Sequence, residues 1–401
     1  MERATSGKAT LGVGAVGLGR AFMLMLPTFV ADPRVRLVAA ADPDPEARAR
    51  FVREFGGQTY ASIVELCADQ AVDVVYISTP HEMHAAHVRA AAAAGKHILV
   101  EKPMAITLAE CASMIEAAQR AGVHLIVGHS HSFNQPILRA RGIIDSGAVG
   151  AVQMITAFNF TDFLYRPRRP EELDTRKGGG VVFSQAAHQV DIVRLLGGGR
   201  VRSVRAVTGN WDKQRATEGA YSALLTFEDG AFASLTYSGY AHFDSDELLD
   251  WIGEMGEQKD PTRYGRVRAA VVGLSSDAEA TLKRTRTFAA GAAVAADSGR
   301  LHQQFGTVIV SCERADLKPT ARGIAIYGDA EKRFDALPPP AVPRGEVIDE
   351  LYDAVVHGRS PLHNGAWAMA TLEVCLAILQ SAREGRDVLL VHQVRIASPG
   401  H

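Results

Sequence analysis

The chain has 401 residues, 47% hydrophobic and 22% charged, which is the composition of an ordinary globular protein rather than a disordered or fibrous one. A formal net charge of -2 leaves no strong field to attract nucleic acid or an anionic membrane, so we expect small-molecule partners, no nucleic acid and no membrane. The length exceeds the size at which one hydrophobic core usually stops growing and predicts two domains.

The four cysteines lie far apart and form no Cys-x-x-Cys pair, which argues against a zinc site or a disulfide framework. The first ten residues are polar, and the apolar run at 21–30 is short, is interrupted by Pro27 and lacks a signal-cleavage pattern. We therefore expect reduced thiols and a cytoplasmic location.

Residues 10–133 alternate short apolar runs with alanine-rich helical stretches, the pattern of βαβ units in an α/β domain. This predicts a doubly wound parallel sheet. The predicted strands are Leu11–Val16, Val35–Ala41, Val72–Thr79, His97–Val100 and Val123–Gly128, with a helix at Glu82–Ala94 among those between them.

Residues 134–395 show a different rhythm, in which helices are followed by consecutive strands, and predict a C-terminal α/β domain with a large, mostly antiparallel open sheet. The stretch at 241–300 has no clean period and is interpreted as an insertion or lid. The predicted helices are Ile137–Ser146, Gln185–Leu196, Glu346–His357 and Ala366–Glu384, and the predicted strands are Val152–Phe160, Val201–Val207, Ala220–Phe227, Ala231–Ser238, Thr307–Arg314 and Arg322–Tyr327.

A glycine-rich turn follows the first predicted strand, and two registers fit a phosphate-binding fingerprint. Gly12-x-Gly14-x-x-Gly17 matches literally but places glycines inside the strand. Gly17-x-Gly19 places them at the turn, where backbone N–H groups and a helix N-terminus can receive a pyrophosphate. We favour the second register, in which Phe22 occupies the third glycine position and implies looser packing of helix on strand.

Asp42 lies 23 residues after Gly19, at the end of the second predicted strand. An acidic residue there can accept hydrogen bonds from the adenosine ribose and would repel a 2′-phosphate. The predicted cofactor is therefore NAD, with NADP disfavoured. The alternative is a glycine turn followed by an aspartate that caps a helix.

Several motifs in one order resemble the glucose-fructose oxidoreductase and inositol dehydrogenase family, also called Gfo/Idh/MocA. These motifs are Gly17-Leu18-Gly19-Arg20, Ser78-Thr79-Pro80 with His84, Gly95-Lys96-His97 before Glu101-Lys102-Pro103, and Gly178-Gly179-Gly180 with His188 and Asp191. The resemblance implies an N-terminal Rossmann domain, an NAD-dependent oxidoreductase, and a homodimer or homotetramer packed through the open sheet.

The resemblance also implies that Lys102 and His188 are the catalytic pair, with Pro103 after a cis peptide bond. A lysine beside an oxidised nicotinamide ring would have a lowered pKa, and an imidazole titrates near neutrality, so either group can take the hydroxyl proton. Family members often carry an acid four positions before the histidine, where this chain has Ser184, so the identity of the base stays open. A surface lysine and a structural histidine are the alternatives.

Three histidines, His81, His84 and His87, share one helical face, and His129 and His131 follow the fifth predicted strand. Hydride transfer needs no metal, and we expect none. His84 is instead expected near the nicotinamide. The full set of predicted cofactor-binding residues is Gly17, Leu18, Gly19, Arg20, Asp42, Ser78, Thr79, Pro80, His84 and Glu101.

An arginine-rich stretch follows the first strand of the second domain. Arginine forks suit carboxylates, which indicates an anionic substrate, although a charge run is also typical of a solvated face. Around Tyr165–Arg169, at His302–Arg314 and in the length of its second domain, the chain is similar to the phthalate 4,5-cis-dihydrodiol dehydrogenase subfamily. That resemblance implies oxidation of a carboxylated ring diol to a dihydroxyphthalate. The predicted substrate-binding residues are Tyr165, Arg166, Arg168, Arg176 and Asp191.

Three alternatives to this function remain open at this stage. One is a sugar, inositol or sugar-acid dehydrogenase of the same family. Another is a nicotinamide-sensing regulator without turnover, which would be expected to lack the catalytic pair. The last is a purely structural scaffold.

Overall fold

A computed structural model describes residues 9–291 and 300–396. In this part of the chain, two compact units are formed. The first comprises 9–129, 281–291 and 341–369, and the second comprises 130–280, 300–340 and 370–396.

The first unit contains a parallel sheet with the strand order β3-β2-β1-β4-β5-β6 among the described residues. Its strands are β1 Leu11–Val16, β2 Val35–Ala41, β3 Gln58–Tyr60, β4 Val74–Ile77, β5 His97–Val100 and β6 Leu125–Val127. The helices within the first 129 residues are α1 Arg20–Ala31, α2 Pro45–Phe55, α3 Ile63–Ala68, α4 His84–Ala93 and α5 Leu108–Ala121. The predicted Rossmann sheet is confirmed.

The order of the strands reverses between β1 and β4, which pair side by side. Every residue of both strands is buried, as expected when helices cover a parallel sheet. In open α/β sheets, ligands bind outside the carboxyl ends of the strands at such a reversal. Gly17 and Ser78 follow these two strand ends directly, so the fold places the predicted cofactor residues there.

The rest of the chain contains a sheet ordered β14-β13-β12-β11-β7-β10-β9-β8-β15 in its described part. Only the β7–β10 pair in that list is parallel, so the predicted mostly antiparallel sheet is confirmed. The elements, in chain order, are α6 Gln135–Asp145, β7 Val152–Phe160, α7 Ala187–Leu196, β8 Val201–Gly209, β9 Ala220–Phe227, β10 Phe232–Ser238, α8 Arg266–Val271, α9 Ser276–Arg284, β11 Thr307–Cys312, β12 Ala315–Thr320, β13 Gly323–Gly328, β14 Lys332–Ala336, α10 Gly345–His357, α11 Gly365–Glu384 and β15 Val388–Leu389.

The compact units differ from the predicted continuous domains 10–133 and 134–395 in two later segments. Residues 341–369 join the first unit because the segment bonds to its sheet and to α1: the Val127 N–H donates to the His363 carbonyl at 2.9 Å, and the Thr28 hydroxyl donates to the Pro343 carbonyl at 2.6 Å. Residues 281–291, within the predicted insertion, also join it.

The sequence did not predict strands β3, β12, β14 and β15. β3 and β15 have only three and two residues, β12 contains Pro319, and β14 has an exposed Lys-Arg start, and each of these features argues against a strand in the sequence. The helices of the insertion, α8 and α9, have six and nine residues, which is too short to establish a helical period.

α11 is the one described helix whose length and composition would allow it to cross a membrane. In the fold, 61% of that apolar window is buried, as in the core helix of a globular domain.

Gly12 is required by close packing inside β1. A Cβ there would lie 2.0 Å from the Ala71 carbonyl oxygen, whereas a Cβ at Gly142 in α6 would meet nothing within 4 Å. We predict that Gly12→Ala lowers the free energy of unfolding by about 1–3 kcal/mol through overpacking. The matched Gly142→Ala is expected to raise it by about 0.5–1 kcal/mol through helix propensity. Urea midpoints followed by far-UV circular dichroism measure both, and an unchanged midpoint for Gly12→Ala would contradict the packing.

Candidate active site

The glycine turn lies between the end of β1 at Val16 and the start of α1 at Arg20. Gly17 has φ of +85°, and a Cβ there would lie 3.0 Å from the Thr79 methyl group, so glycine is needed for both conformation and space. A Cβ on Gly19 would meet nothing within 4 Å, which leaves the helix N-terminus open. The turn therefore has the Gly17-x-Gly19 register, and its backbone fits a pyrophosphate.

Asp42 lies at the end of β2, against this turn. Its Oδ2 accepts the Leu18 N–H at 2.7 Å, and its Oδ1 accepts the Asp44 N–H at 2.8 Å. Each carboxylate oxygen has a second lone pair for a ribose hydroxyl. The position is the one at which a dinucleotide fold uses an acidic residue.

An aromatic contact that the sequence did not reveal supports the same turn. Phe22 is fully buried, and its ring centroid lies 5.4 Å from that of Phe288, with the planes at 89°. The Phe288 N–H donates to the Leu18 carbonyl at 3.3 Å, and the Arg50 guanidinium lies 4.1 Å from the centre of the Phe288 ring. The sequence predicted looser packing of helix on strand at Phe22. The structure instead places the Phe288 ring of the insertion against Phe22, so the space is filled. In the sequence, the feature that could have indicated this aromatic contact is Phe22 at the position of the third glycine.

His84 links the ends of two strands within the first unit. Its Nε2 lies 2.9 Å from the Thr79 carbonyl oxygen and its Nδ1 lies 3.0 Å from that of Pro103. Burial lowers the pKa of His84, against the opposing effect of these carbonyls. The Ser78 hydroxyl donates to the Gly17 carbonyl at 2.7 Å, so this segment is tied to the glycine turn as well. His84 thereby fixes the residue that follows Lys102.

Lys102 follows β5 and is half-buried, and its peptide bond to Pro103 is cis, as predicted. Glu101 is buried and accepts the Tyr76 hydroxyl at 2.7 Å; burial raises the pKa of this carboxyl group. The Glu101 side chain therefore has a partner inside the unit. The other two predicted cofactor residues lie at the same strand ends: Arg20 begins α1, and Pro80 precedes the turn His81–Met83.

His188 lies in the second unit, one residue into α7, which continues from a π-helical turn at Val182–Ala186. It is 5% exposed, and its ring centroid lies 4.7 Å from that of His131 and 5.0 Å from that of Phe305. His131 and Phe305 are themselves 5.0 Å apart. The imidazole is thus held in a triangle of three rings.

His131 is connected onward to Glu254 of the insertion. The Asn134 amide donates to His131 Nδ1 at 2.9 Å, so the ring proton belongs on Nε2, which lies 3.4 Å from Glu254 Oε1. Burial alone would raise the pKa of Glu254, but Arg166 and His131 together, by charge and by hydrogen bonding, outweigh it and hold that pKa well below its usual range. Glu254 is therefore ionised beside His131. Neither residue's role was predicted from the sequence.

The two predicted substrate arginines differ in their partners. Arg166 donates from Nε to Asp162 at 2.8 Å and from both terminal nitrogens to Glu254 at 3.2 Å, so two carboxylates offset its charge. Arg168 stacks 3.6 Å from the centre of the Phe163 ring. Within residues 9–291 and 300–396, its guanidinium forms no ion pair, and its Nε has no hydrogen-bond partner.

Arg168 remains a cation at neutral pH, because burial lowers its pKa only to about 10. Its backbone N–H donates to Glu279 at 2.7 Å, and its Nη2 donates to the Phe163 carbonyl at 2.8 Å, so the side chain has a fixed place. A half-buried guanidinium with this arrangement suits an anionic ligand.

The remaining predicted substrate residues have other partners. The Tyr165 hydroxyl donates to Asp212 at 2.7 Å, and its ring is buried. The Arg176 side chain is 90% exposed and pairs with Asp174. A buried Asp191 accepts the hydroxyls of Ser132 and Thr371. None of the contacts described for Tyr165, Arg176 and Asp191 joins these side chains to the Arg166–Glu254 pair.

No group of three or more His, Cys, Asp or Glu side chains in the described part of the chain is arranged to hold a metal ion. All four cysteines are free.

Two family models match the chain. Residues 11–129 match the oxidoreductase family with an NAD-binding Rossmann fold, and residues 137–258 match the GFO/IDH/MocA C-terminal domain. The chain belongs to the Gfo/Idh/MocA family. It is an oxidoreductase, as the sequence predicted.

Similar proteins cover most of the chain. It is 50% identical over 376 residues to 1-carboxy-3-chloro-3,4-dihydroxycyclohexa-1,5-diene dehydrogenase of Comamonas testosteroni, covering 92% of this chain and 94% of that one. A crystal structure from Bordetella bronchiseptica RB50, assigned as a dehydrogenase, has 43% identity and a TM-score of 0.90 over 95% of this chain and 100% of its own. The WlbA dehydrogenase of Bordetella pertussis, solved with NADH and UDP-GlcNAcA, shares the fold at 21% identity and a TM-score of 0.70, over 96% and 98% of the two chains.

Phe288→Ala tests whether the insertion supports the cofactor turn. Removal of the ring leaves Phe22 without its aromatic partner beside the glycine turn, so we expect the KM for the dinucleotide to rise about tenfold while kcat changes less than twofold. Phe243→Ala, at an exposed phenylalanine of the same insertion, is the matched control. Equal KM values for the two variants would show that Phe288 has no part in cofactor binding.

Proposed function

We propose that this protein oxidises a secondary alcohol of a carboxylated cis-dihydrodiol, with NAD as the hydride acceptor. The observation that carries the proposal is Arg168, a fixed, half-buried cation whose guanidinium has no carboxylate partner among the described residues. The relative from Comamonas testosteroni, named for a carboxylated dihydroxycyclohexadiene, supports the same substrate class. Phthalate 4,5-cis-dihydrodiol, converted to 4,5-dihydroxyphthalate, is the candidate that the sequence suggested.

The charges of Arg166 and Arg168 indicate how many carboxylates of the substrate ring are recognised. Arg166 is offset by Asp162 and Glu254, which leaves Arg168 as the cation available to a ligand. One guanidinium holds one carboxylate in a bidentate pair. We therefore propose that one carboxylate is recognised by Arg168, and that a second carboxylate, as in the phthalate diol, gains little further affinity.

The catalytic steps assign one role to each of two side chains. When bound, NAD accepts the hydride that leaves the carbinol carbon. His188 takes the hydroxyl proton, because an imidazole titrates near the working pH, and Lys102 donates a hydrogen bond to the same oxygen. The C–H bond and the O–H bond break, a carbonyl forms, and the resulting hydroxy-ketone can enolise to a catechol. Aromatisation favours the forward direction.

The arginine variant Arg168→Met tests the substrate class. It keeps much of the side-chain volume and removes the charge, so we expect kcat/KM for carboxylated cis-dihydrodiols to fall about 100-fold, as for a lost charge-assisted pair, and that for an uncarboxylated cis-dihydrodiol to change less than threefold. Arg169→Met is the matched control, because Arg169 is exposed and pairs with Glu172. Reduction of NAD is followed at 340 nm.

Three results would contradict the proposal. Equal losses on carboxylated and uncarboxylated diols would remove Arg168 from carboxylate recognition. Turnover of inositols or aldoses, with none of the diols, would place the protein among the sugar dehydrogenases of the family. No NAD reduction with any of these compounds would favour a regulator without turnover.

Asp42 determines the choice of cofactor in this proposal. Asp42→Ala removes the ribose hydrogen bonds and the repulsion of a 2′-phosphate, so we expect the KM for NAD to rise about tenfold and the preference for NAD over NADP to fall by more than that. Glu46→Ala, an exposed carboxylate on α2, is the control for the loss of charge. If Asp42→Ala kept the wild-type preference, the assignment of NAD to this residue would be wrong.

A further inference from the structure

We infer that Glu254, acting through His131, sets the orientation and basicity of the His188 imidazole, in place of the acid that is absent at position 184. The inference rests on the proposed role of His188 as the base. Glu254 is in this view a positioning residue, because it contacts His131 rather than substrate or cofactor.

The geometry supplies a continuous line of contacts. Glu254 Oε1 lies 3.4 Å from His131 Nε2, and the His131 and His188 rings meet edge to face at 4.7 Å between centroids. Asn134 fixes the His131 tautomer by donating to Nδ1. Phe305 contacts both rings, so neither imidazole can rotate away without losing an aromatic contact. Ser184 cannot ionise and so cannot replace the carboxylate.

The backbone around Glu254 is anchored rather than loose. Gln304 donates from its side chain to Asp246 at 2.7 Å and to the Ile252 carbonyl at 2.9 Å, and its own N–H donates to the Glu254 carbonyl at 3.3 Å. Gly253 donates to the Glu257 carbonyl at 2.8 Å. The insertion thus delivers the Glu254 carboxylate to a defined position beside His131.

The charges around the two imidazoles give the sign of the effect. Arg166 (+1), Asp162 (-1) and Glu254 (-1) sum to -1. Tyr237 of β10 stays neutral, because burial raises its pKa, and the charge of Asp191 on α7 is opposed by the Arg194 cation on the same helix.

An excess of negative charge around His188 favours its imidazolium form and raises its pKa. Arg168 is the cation that offsets it, since its guanidinium interacts electrostatically with both Arg166 and Asp162, although Glu172 also acts on its charge. A substrate carboxylate bound to Arg168 would restore the excess and strengthen the base when substrate is present.

The test is a direct titration of the imidazole. Full-length protein with ¹³C-labelled histidine is titrated by NMR without substrate, and the His188 signal is assigned by its loss in His188→Asn. Glu254→Gln keeps the shape and removes the charge, so we expect the His188 pKa to fall by about one unit. Glu254→Asp keeps the charge and is expected to restore most of the wild-type pKa. Glu247→Gln removes an exposed carboxylate from the same insertion and is expected to leave it unchanged.

Kinetics provide the second readout. The base is active above its pKa, so a lower pKa in Glu254→Gln moves the acid limb of kcat/KM to lower pH, while the weaker base lowers the plateau about tenfold. A purely structural role would lower the plateau without moving the limb.

An unshifted His188 titration in Glu254→Gln, or an equal shift in Glu254→Asp, would overturn the inference. If Glu254→Gln did not fold, Glu254→Asp would be compared with Glu247→Gln instead. If Glu254 and His188 are coupled, moving the carboxylate by one methylene group shifts the His188 pKa by a few tenths of a unit, whereas Glu247→Gln leaves it unchanged. Failure of the wild type to reduce NAD with any carboxylated diol would overturn the proposed function alone, since the titration needs no turnover.

Discussion

A carboxylate can stay ionised in a buried site only if a cation compensates for lost hydration, and Arg166 supplies that cation to Glu254. The interaction joins the insertion to the segment that follows β7. It also occupies Arg166, which leaves the neighbouring Arg168 to act on a ligand. Arg166 and Arg168 look alike in the sequence but have different roles. The difference arises because Glu254, some 90 residues later in the chain, pairs with Arg166.

Different residues of the insertion make contacts in each of the two units. In the second unit, Glu254 contacts His131, and Glu279 accepts the Arg168 N–H. In the first, Phe288 contacts Phe22 and the Leu18 carbonyl at the cofactor turn. A segment without a recognisable period thus contributes contacts at the cofactor turn, at His131 and at Arg168, which gives its chain length a functional reason.

The sequence was sufficient for the Rossmann sheet and for the Gly17–Gly19 turn, because strand periodicity and glycine placement are local signals. It was sufficient for the family, since the motifs occur in one order. It could not separate Arg166 from Arg168, or identify His131 and Glu254, because those distinctions depend on contacts between residues far apart in the chain. It missed β12 because a proline argues against a strand, and it missed β14, at the edge of the sheet, because that strand begins with charged residues.

In the proposed reaction, hydride passes from a carboxylated ring diol to NAD. A monocarboxylated cis-dihydrodiol deuterated at both carbinol carbons tests this transfer, with mass spectrometry of the cofactor and the ring product. We expect one deuterium in the reduced cofactor and a carboxylated catechol as the product. Reduced cofactor without deuterium, or an unchanged diol in the presence of NAD, would contradict it.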